Sequence, residues 1–532
     1  MGASSGDILR VRKLNDDDAW SLLKKQVPEL EVIGESAFDH LKDIGMQIIR
    51  KCDGLPLAIK VMGGLLSTRR PSKLGWENIL KKIIAWKENG LHEELNSSVH
   101  LSYDDLSPEL KQCFLYYSLF PKGSAPSDST IISMWISEGF IQDYQRSESN
   151  QHDLEEIGTD YHQELVNRNL LELSSDHNMY HYCMHDVVCS FAQFMAREEA
   201  LVVQKEQTDI KNLLLSTQRV RRLSITLEDS ILEWRILENL ESLRTLMLNC
   251  SIKPSGTLAS FSGLRVLSIE CAECDWILNS LCQLRHLRFL RLKGVDISRL
   301  PEDIHKMKLL EHIELLHCMS LNKLPESNEL PNGLCGMLNL EEVQIIYAPS
   351  IEVVGPDFQS LASGDGGAVV TRPFPKLKQL VLGNLPRWKE WDWEEEQGKG
   401  MAMPALEELY IEHCKLSRLP EGLASRNRHN LRTLYLYGLS ILQSVENFPS
   451  VVELDVLYCP ELKKISGFSK LRKISIDGCP KLESLEGFPV LCSMVLDQEP
   501  WEITGTPVVV CTPKVYQVGV EPQLPENFTV TR

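Results

Sequence analysis

Through the second half of this chain, apolar residues recur in the frame L-x-x-L-x-L, clearest in LRFLRL at 287–292. The frame starts at Val220, Leu243, Leu264, Leu287, Leu310, Leu340, Leu377, Leu406, Leu431, Val451, Leu471 and Leu491, at intervals of 20 to 37 residues. Its alternating close predicts one short strand per unit. A single strand with its return segment cannot bury its own apolar face, so the units must stack. Leu287, Leu290 and Leu292 then point inward, and Arg288, Phe289 and Arg291 are left on or beside an open parallel sheet.

Upstream of Val220 the apolar spacing is helical. Asn15 or Asp16 can cap a helix carrying Ala19, Trp20, Leu22 and Leu23. From Glu35, residues Phe38, Leu41, Ile44, Ile48 and Ile49 follow helical intervals until Gly54 supplies a left-handed stop. Pro56 suits the first turn of the next helix, so Gly54, Leu55, Pro56 and Leu57 form a tight corner whose proline offers a flat apolar face. Ser107 and Pro108 read as the cap and first residue of a helix with Leu110, Cys113, Phe114 and Tyr117 on one face. A second helix begins near Asp128 and stops at Gly139, and a third starts near Asp153. LLELSSDHNMYHYCM then reads as two short strands across a polar turn. Three helices followed by a hairpin is the plan of a winged helix. Met184, His185 and Asp186 come next, with Asp186 the expected cap of a helix carrying Val187, Val188, Phe191, Ala192 and Met195. His185 then sits just ahead of a helix N-terminus, where free N–H groups and the positive dipole end favour an anion such as phosphate.

The repeating frame matches the leucine-rich repeat, and Cys318, Cys414, Cys459 and Cys479 fall at its Asn/Cys position. The strand face is large enough for a protein partner, and its candidate contact residues are Arg288, Phe289, Arg291, Glu311, Glu314, Tyr410 and Tyr435. Arg244, Arg265, Arg288 and Arg291 come early, whereas Glu311, Glu314, Glu341 and Glu342 line the middle. Alternating blocks of sign suit a charged protein better than a polyanion. A Gly-rich insertion, SLASGDGGAVVTRPFP, interrupts the repeats and is expected to be mobile, with Trp388, Trp391 and Trp393 packed beneath it. From Asp497 the frame stops, which predicts a loose tail.

Composition narrows the partners. With 532 residues, 43% of them hydrophobic and 24% charged, the chain has material for several soluble domains. Its 56 basic and 74 acidic residues leave a net charge of −18, which argues against DNA or RNA as the main partner even for a winged helix. No apolar stretch approaches the ~20 residues of a membrane-spanning helix, and no secretory signal precedes the first helix, so a cytoplasmic location is expected. The 15 cysteines are expected to be reduced core residues, and Cys271 with Cys274 is a lone C-x-x-C, too little for zinc.

GLPLAIK at 54–60, CFLYYSLFPKG at 113–123 and YCMHDVV at 182–188 occur in this order ahead of the repeats. With LSYDDLSPELKQCFLY from Leu101 and WISEGFI at 135–141, they make the chain resemble the plant NB-ARC leucine-rich-repeat disease-resistance proteins of the coiled-coil class. The resemblance implies an α+β multidomain chain, with a helical ARC subdomain and a winged-helix subdomain ahead of an α/β horseshoe solenoid. The implied divisions are a remnant of the nucleotide-binding domain at 1–30, the ARC helices at 31–96 and the winged helix at 97–200. A linker at 201–219, repeats at 220–500 and a tail at 501–532 complete them. It implies an ATP/ADP switch rather than an enzyme. Within it Pro56 of the Gly54–Leu57 string would pack on adenine, His185 would meet the ADP β-phosphate behind Met184, and Asp186 would hold that loop. It also implies that the repeats read a pathogen effector or a guarded host protein and restrain the switch through the nucleotide-binding domain.

The sequence departs from the family pattern in one respect. No G-x-x-x-x-G-K-[ST] phosphate cradle occurs in these residues, nor the acidic strand that positions magnesium, so ADP or ATP binding is expected to be weak. An N-terminally truncated form is the expectation. The alternative is a nucleotide-free repeat adaptor, such as a ubiquitin-ligase substrate receptor, which predicts no winged helix.

Overall fold

The computed structural model describes residues 12–31, 35–68, 71–88, 94–123, 126–142, 154–174, 181–204, 214, 219–253, 256–272, 275–321, 334, 337–352, 373–389, 391, 402–424, 428–486, 488–496, 502–504, 510–511 and 529–531. The chain divides into two units, the first formed by 1–204 with 219–224 and the second by 205–218 with 225–532.

The first unit is mostly helical: α1 (Asp16–Gln26), α2 (Glu35–Lys51), α3 (Pro56–Ser67), α4 (Lys73–Glu88), α5 (Glu94–Asp104), α6 (Pro108–Tyr117), α7 (Asp128–Glu138) and α8 (Leu154–Asn167). Strands β1 (Glu172–Ser174) and β2 (His181–Cys183) follow, then α9 (Asp186–Ala196) and β3 (Ala200–Gln204). The caps are those the sequence offers. Asn15 accepts from the Asp18 N–H, Ser107 from the Leu110 N–H, and Gly139 ends α7 in the left-handed conformation. Trp20, Leu23, Ile48, Ile59 and Trp76 meet in one core shared by α1 to α5. The winged helix is α6, α7 and α8 with the antiparallel pair β1–β2, and its core closes on a polar contact, Tyr117 Oη to His162 Nε2 at 2.8 Å.

In the second unit each predicted frame opens a strand two residues after its first apolar position. These are β4 (Arg222–Glu233), β5 (Thr245–Lys253), β6 (Val266–Glu270), β7 (Phe289–Lys293), β8 (His312–Leu316), β9 (Glu342–Ile346), β10 (Gln379–Gly383), β11 (Glu408–Glu412) and β12 (Thr433–Tyr437). The series continues with β14 (Glu453–Leu457), β16 (Lys473–Asp477) and β18 (Ser493–Leu496). From β5 to β18 these strands pair parallel in one register, so that Leu267, Leu290, Ile313 and Val343 stack as one buried column. Burying each such side chain contributes about 1.5–3 kcal/mol, so the column is filled by the large aliphatic residues Leu, Ile and Val.

The return segments change along the solenoid. Between the early strands they are 3-10 turns, at Trp234–Ile236, Leu258–Ser260 and Glu302–Lys306. After Leu431 the frame shortens to 20 residues, and the return is instead a second parallel sheet of β13 (Ser444–Glu446), β15 (Lys464–Ser466) and β17 (Ser484–Glu486). An extended residue advances about 3.3 Å where a helical one advances about 1.5 Å, so a shorter return can span the same turn only as strand. Phe448, Phe468 and Phe488 stack behind it at ring separations of 5.8 and 6.1 Å.

Cys318, Cys414, Cys459 and Cys479 are buried thiols, and burial pushes Cys414 up to about 12, so it stays protonated. Cys271 is buried, whereas Cys274 lies outside the described residues. Trp388 and Trp391 are buried against each other at 5.3 Å, while Trp393 and most of the Gly-rich insertion lie outside the described residues. The tail departs from expectation, because β19 (Glu502–Thr504), β20 (Val510–Cys511) and β21 (Thr529–Thr531) continue the two sheets. Their backbone groups pair with the otherwise open edges of β18 and β17.

Candidate functional site

The corner before α3 is held from two sides. Asp53 and Gly54 both adopt positive φ, and a Cβ on Gly54 would meet the Leu14 carbonyl oxygen at 2.6 Å, so only glycine fits. The Leu14 N–H donates to the Gly54 carbonyl at 3.0 Å, and Lys13 pairs with Asp53. These clamps from the start of α1 could not be read from spacing alone. They leave Pro56 exposed as the first residue of α3, with Leu55 and Leu57 half-buried.

The Met184-His185-Asp186 turn is fixed differently. Met184 is buried, and the cap of α9 is His185 rather than Asp186. The Val187 N–H donates to His185 Nδ1 at 3.2 Å. Asp186 already has helical geometry and lies exposed in the first turn, where the dipole favours its carboxylate but its side chain cannot cap its own helix. Because Nδ1 is the acceptor, the proton of a neutral His185 must sit on Nε2, leaving one outward donor. That is the donor set an anion needs.

Helix α5 packs against α3 and also meets α9, the two helices that these corners open. Phe191 of α9 lies 5.6 Å from His100 and 5.8 Å from Tyr103, both on α5. A further tie joins α3 to the end of α8. Asn169 Nδ2 donates to the Lys60 carbonyl at 3.1 Å, and Gly64 packs on the Arg168 backbone so closely that a Cβ would overlap it. Among the described residues no hydrogen bond or ion pair joins Pro56 or Leu57 to His185 or Asp186. Nor does any group of three or more His, Cys, Asp and Glu there suit a metal ion.

On the repeat sheet the predicted contact residues separate into two kinds. Arg288 and Glu311 lie on neighbouring turns and pair at 3.1 Å, and Arg291 pairs with Glu314 at 3.2 Å. His312 Nδ1 lies 3.1 Å from Glu342, both buried. The expected alternation of sign is therefore largely satisfied within the sheet. Two expectations fail outright: Phe289 is fully buried, in register between Val266 and His312, and Glu314 is 1% exposed beneath Arg291. Tyr410 and Tyr435 stand half-buried on the face, with rings 5.7 Å apart.

Comparison with known proteins follows the same division. Residues 119–192 match the model of the disease resistance protein winged helix domain, and 239–346 match a leucine-rich repeat region. The chain is a relative of the plant NLR-type disease-resistance proteins. Among its relatives, disease resistance RPP8-like protein 3 of Arabidopsis thaliana is 31% identical over 63% of the chain and 37% of its own length. The RPP13-like protein 1 of the same plant is 31% identical over 62% of the chain and 28% of its own length. Late blight resistance protein homolog R1B-16 of Solanum demissum is 29% identical over 64% and 26%. This resistance-protein relative thus spans between 26% and 37% of their length. The winged-helix match goes against the adaptor alternative, which needs none. No helix among the described residues is long and apolar enough to cross a membrane.

Proposed function

We propose that this chain is the regulatory and recognition part of a cytoplasmic plant disease-resistance receptor. Its repeat sheet reads a pathogen effector or a guarded host protein, and its helical unit serves an ADP-dependent switch that controls the defence response. The observation that carries the reading is the capped turn at His185. Its committed Nδ1 leaves an Nε2–H donor beside a helix N-terminus, in a winged helix of the resistance-protein type. Pro56, exposed and lacking an N–H, suits the flat face of a base. Bound ADP would supply the negative charge that the His185 turn is arranged to meet. His185 would donate to its phosphate, Pro56 would cover its adenine, and Asp186 would keep the turn helical. The phosphates would need further donors from the family's nucleotide-binding domain, since no G-x-x-x-x-G-K-[ST] occurs here.

Two measurements test this. Calorimetric titration of ADP into the chain alone should show weak binding that His185→Ala abolishes, whereas tight magnesium-dependent binding would contradict the half-site. Co-expression in leaf tissue with a pathogen's secreted proteins should identify one that changes the cell-death response. Hydrogen exchange should then place its protection on the repeat strands, and protection confined to α6–α9 would remove the recognition role.

A further inference from the structure

Four tyrosines lie together on β11, β12 and the turn after β14. Tyr410 and Tyr435 are 5.7 Å apart, Tyr435 and Tyr437 are stacked at 6.4 Å, and Tyr458 meets Tyr437 edge-on at 5.4 Å. The sheet register threads carboxylates between them. One row runs Tyr410, Tyr435, Asp455, and the next runs Glu412, Tyr437, Leu457, Asp477. Neighbouring members of a row are about 4.8 Å apart, which puts Asp455 beside Tyr435 and Glu412 beside Tyr437, while the Tyr410 hydroxyl donates to Glu408 at 3.0 Å.

These carboxylates lack what their counterparts elsewhere on the sheet possess. Glu270, Glu311, Glu314 and Glu341 each pair with a lysine or arginine. Among the described residues Glu412, Asp455 and Asp477 make no ion pair, and the nearby Lys473 pairs with Glu453 instead. Burial pushes the Glu412 and Asp455 carboxyls up, and His413 beside the one and Lys473 near the other offset it only in part. His413 packs edge-on to Tyr437 at 4.7 Å, and Glu408, Glu453 and Lys473 are further charged or titratable neighbours of the ladder.

We infer that the Tyr410–Tyr458 ladder, with Glu412, Asp455 and Asp477, is a docking surface for an arginine-bearing segment of a partner protein. A guanidinium is planar, stacks on tyrosine rings, and can fork its N–H groups onto a carboxylate at the ring's edge, and this checkerboard offers both at one spacing. Tyr458 is 52% exposed, so the ladder opens to solvent at one end. The inference rests on the repeat sheet being a protein-recognition surface, and it names the partner chemistry.

The test uses the whole chain and fluorescein-labelled ten-residue Gly/Ser peptides carrying three arginines, or three citrullines of the same shape without the charge, followed by anisotropy. The arginine peptide should bind at least about tenfold tighter than the citrulline one, with the lysine version between them. Hydrogen exchange should show it protecting 408–412 and 433–437. Glu412→Gln with Asp455→Asn, and separately Tyr435→Ala with Tyr437→Ala, should each weaken it about tenfold. Neutralising three acids of the helical unit, Asp16→Asn, Asp17→Asn and Asp18→Asn, should leave affinity within about twofold. Equal binding of the arginine and citrulline peptides overturns the inference without any variant having to fold. An equal loss on neutralising the acids of the helical unit, or protection on other strands, also overturns it. A biological partner that protects only 245–316, with no preference for arginine over citrulline, sinks the ladder but leaves the recognition role standing. Arginine-specific protection of the ladder supports the inference even where no effector engages the repeats.

Discussion

The two halves of the repeat sheet share one core and differ in how their outer faces handle charge. On β6–β9 the face is largely neutralised by its neighbours. Glu270 pairs with Lys293, Glu314 lies buried under Arg291, and Glu342 meets His312. On β11–β16 the carboxylates of Glu412 and Asp455 sit among tyrosines and, among the described residues, form no ion pair, with only the longer-range charge of His413 and Lys473 near them. The inward columns are alike in both halves, Leu290 and Leu454 being equally buried. What the contrast teaches is that the frame dictates the inside of a solenoid and leaves the outside free. The early half uses that freedom for cohesion, and the late half leaves it available.

The largest effects should ignore the contrast. Leu290→Ala and Leu454→Ala each empty a fully buried site and should destabilise their strands by about 2–5 kcal/mol, read by hydrogen exchange of the strand itself. A much smaller cost at Leu454 would mean that the late half is loosely packed. The next effect should expose the contrast directly. Arg291→Met takes the guanidinium from the buried Glu314 carboxylate and should cost on the order of 3 kcal/mol. Glu412→Gln, which breaks no ion pair, should stay within about 0.5 kcal/mol. Urea midpoints of the two variants decide it, and equal costs would erase the distinction.

A subtler separation comes from pH. Burial of the His312 ring drives its pKa down, but the hydrogen bond and charge of Glu342, with Glu311 and Glu341 nearby, outweigh this and hold it above 6.5. A raised folded value means that the contribution is complete below about 6.5 and is lost as pH rises through the folded value. The stability gap between the native chain and His312→Gln should therefore be larger at about pH 6 than at about pH 8.5. A gap independent of pH would mean that the ring is not charged in the folded chain. The smallest effect belongs to Lys473→Gln. Its pair with Glu453 is about half exposed on both sides and should change the urea midpoint by less than about 0.5 kcal/mol.

The strands were legible because burial of the columns through Leu267 and Leu290 imposes a period that no surface pressure disturbs. The winged helix was legible from caps such as Ser107 and Gly139, whose chemistry is local. The second sheet was not, because Ser444–Glu446 and its repeats are too short to show alternation above background. The fate of Arg291 and Glu314 was readable in principle. They hold the same frame position in consecutive units, and that position becomes adjacent once the strands pair in register. Phe289 was misjudged because alternation tells which side a residue faces but not what its lateral neighbours cover. The cap at His185 was missed because imidazole nitrogen seldom takes the part that Ser, Thr, Asp or Asn oxygen plays.

The even frame after Leu431 has one more consequence. With starts at Leu431, Val451, Leu471 and Leu491, excising or duplicating any 20 consecutive residues there removes or adds one rung from both sheets while every leucine keeps its phase. Unequal crossing-over within this stretch would lengthen or shorten the tyrosine-bearing end in whole steps, so its reach could evolve by copy number without the interior being rebuilt.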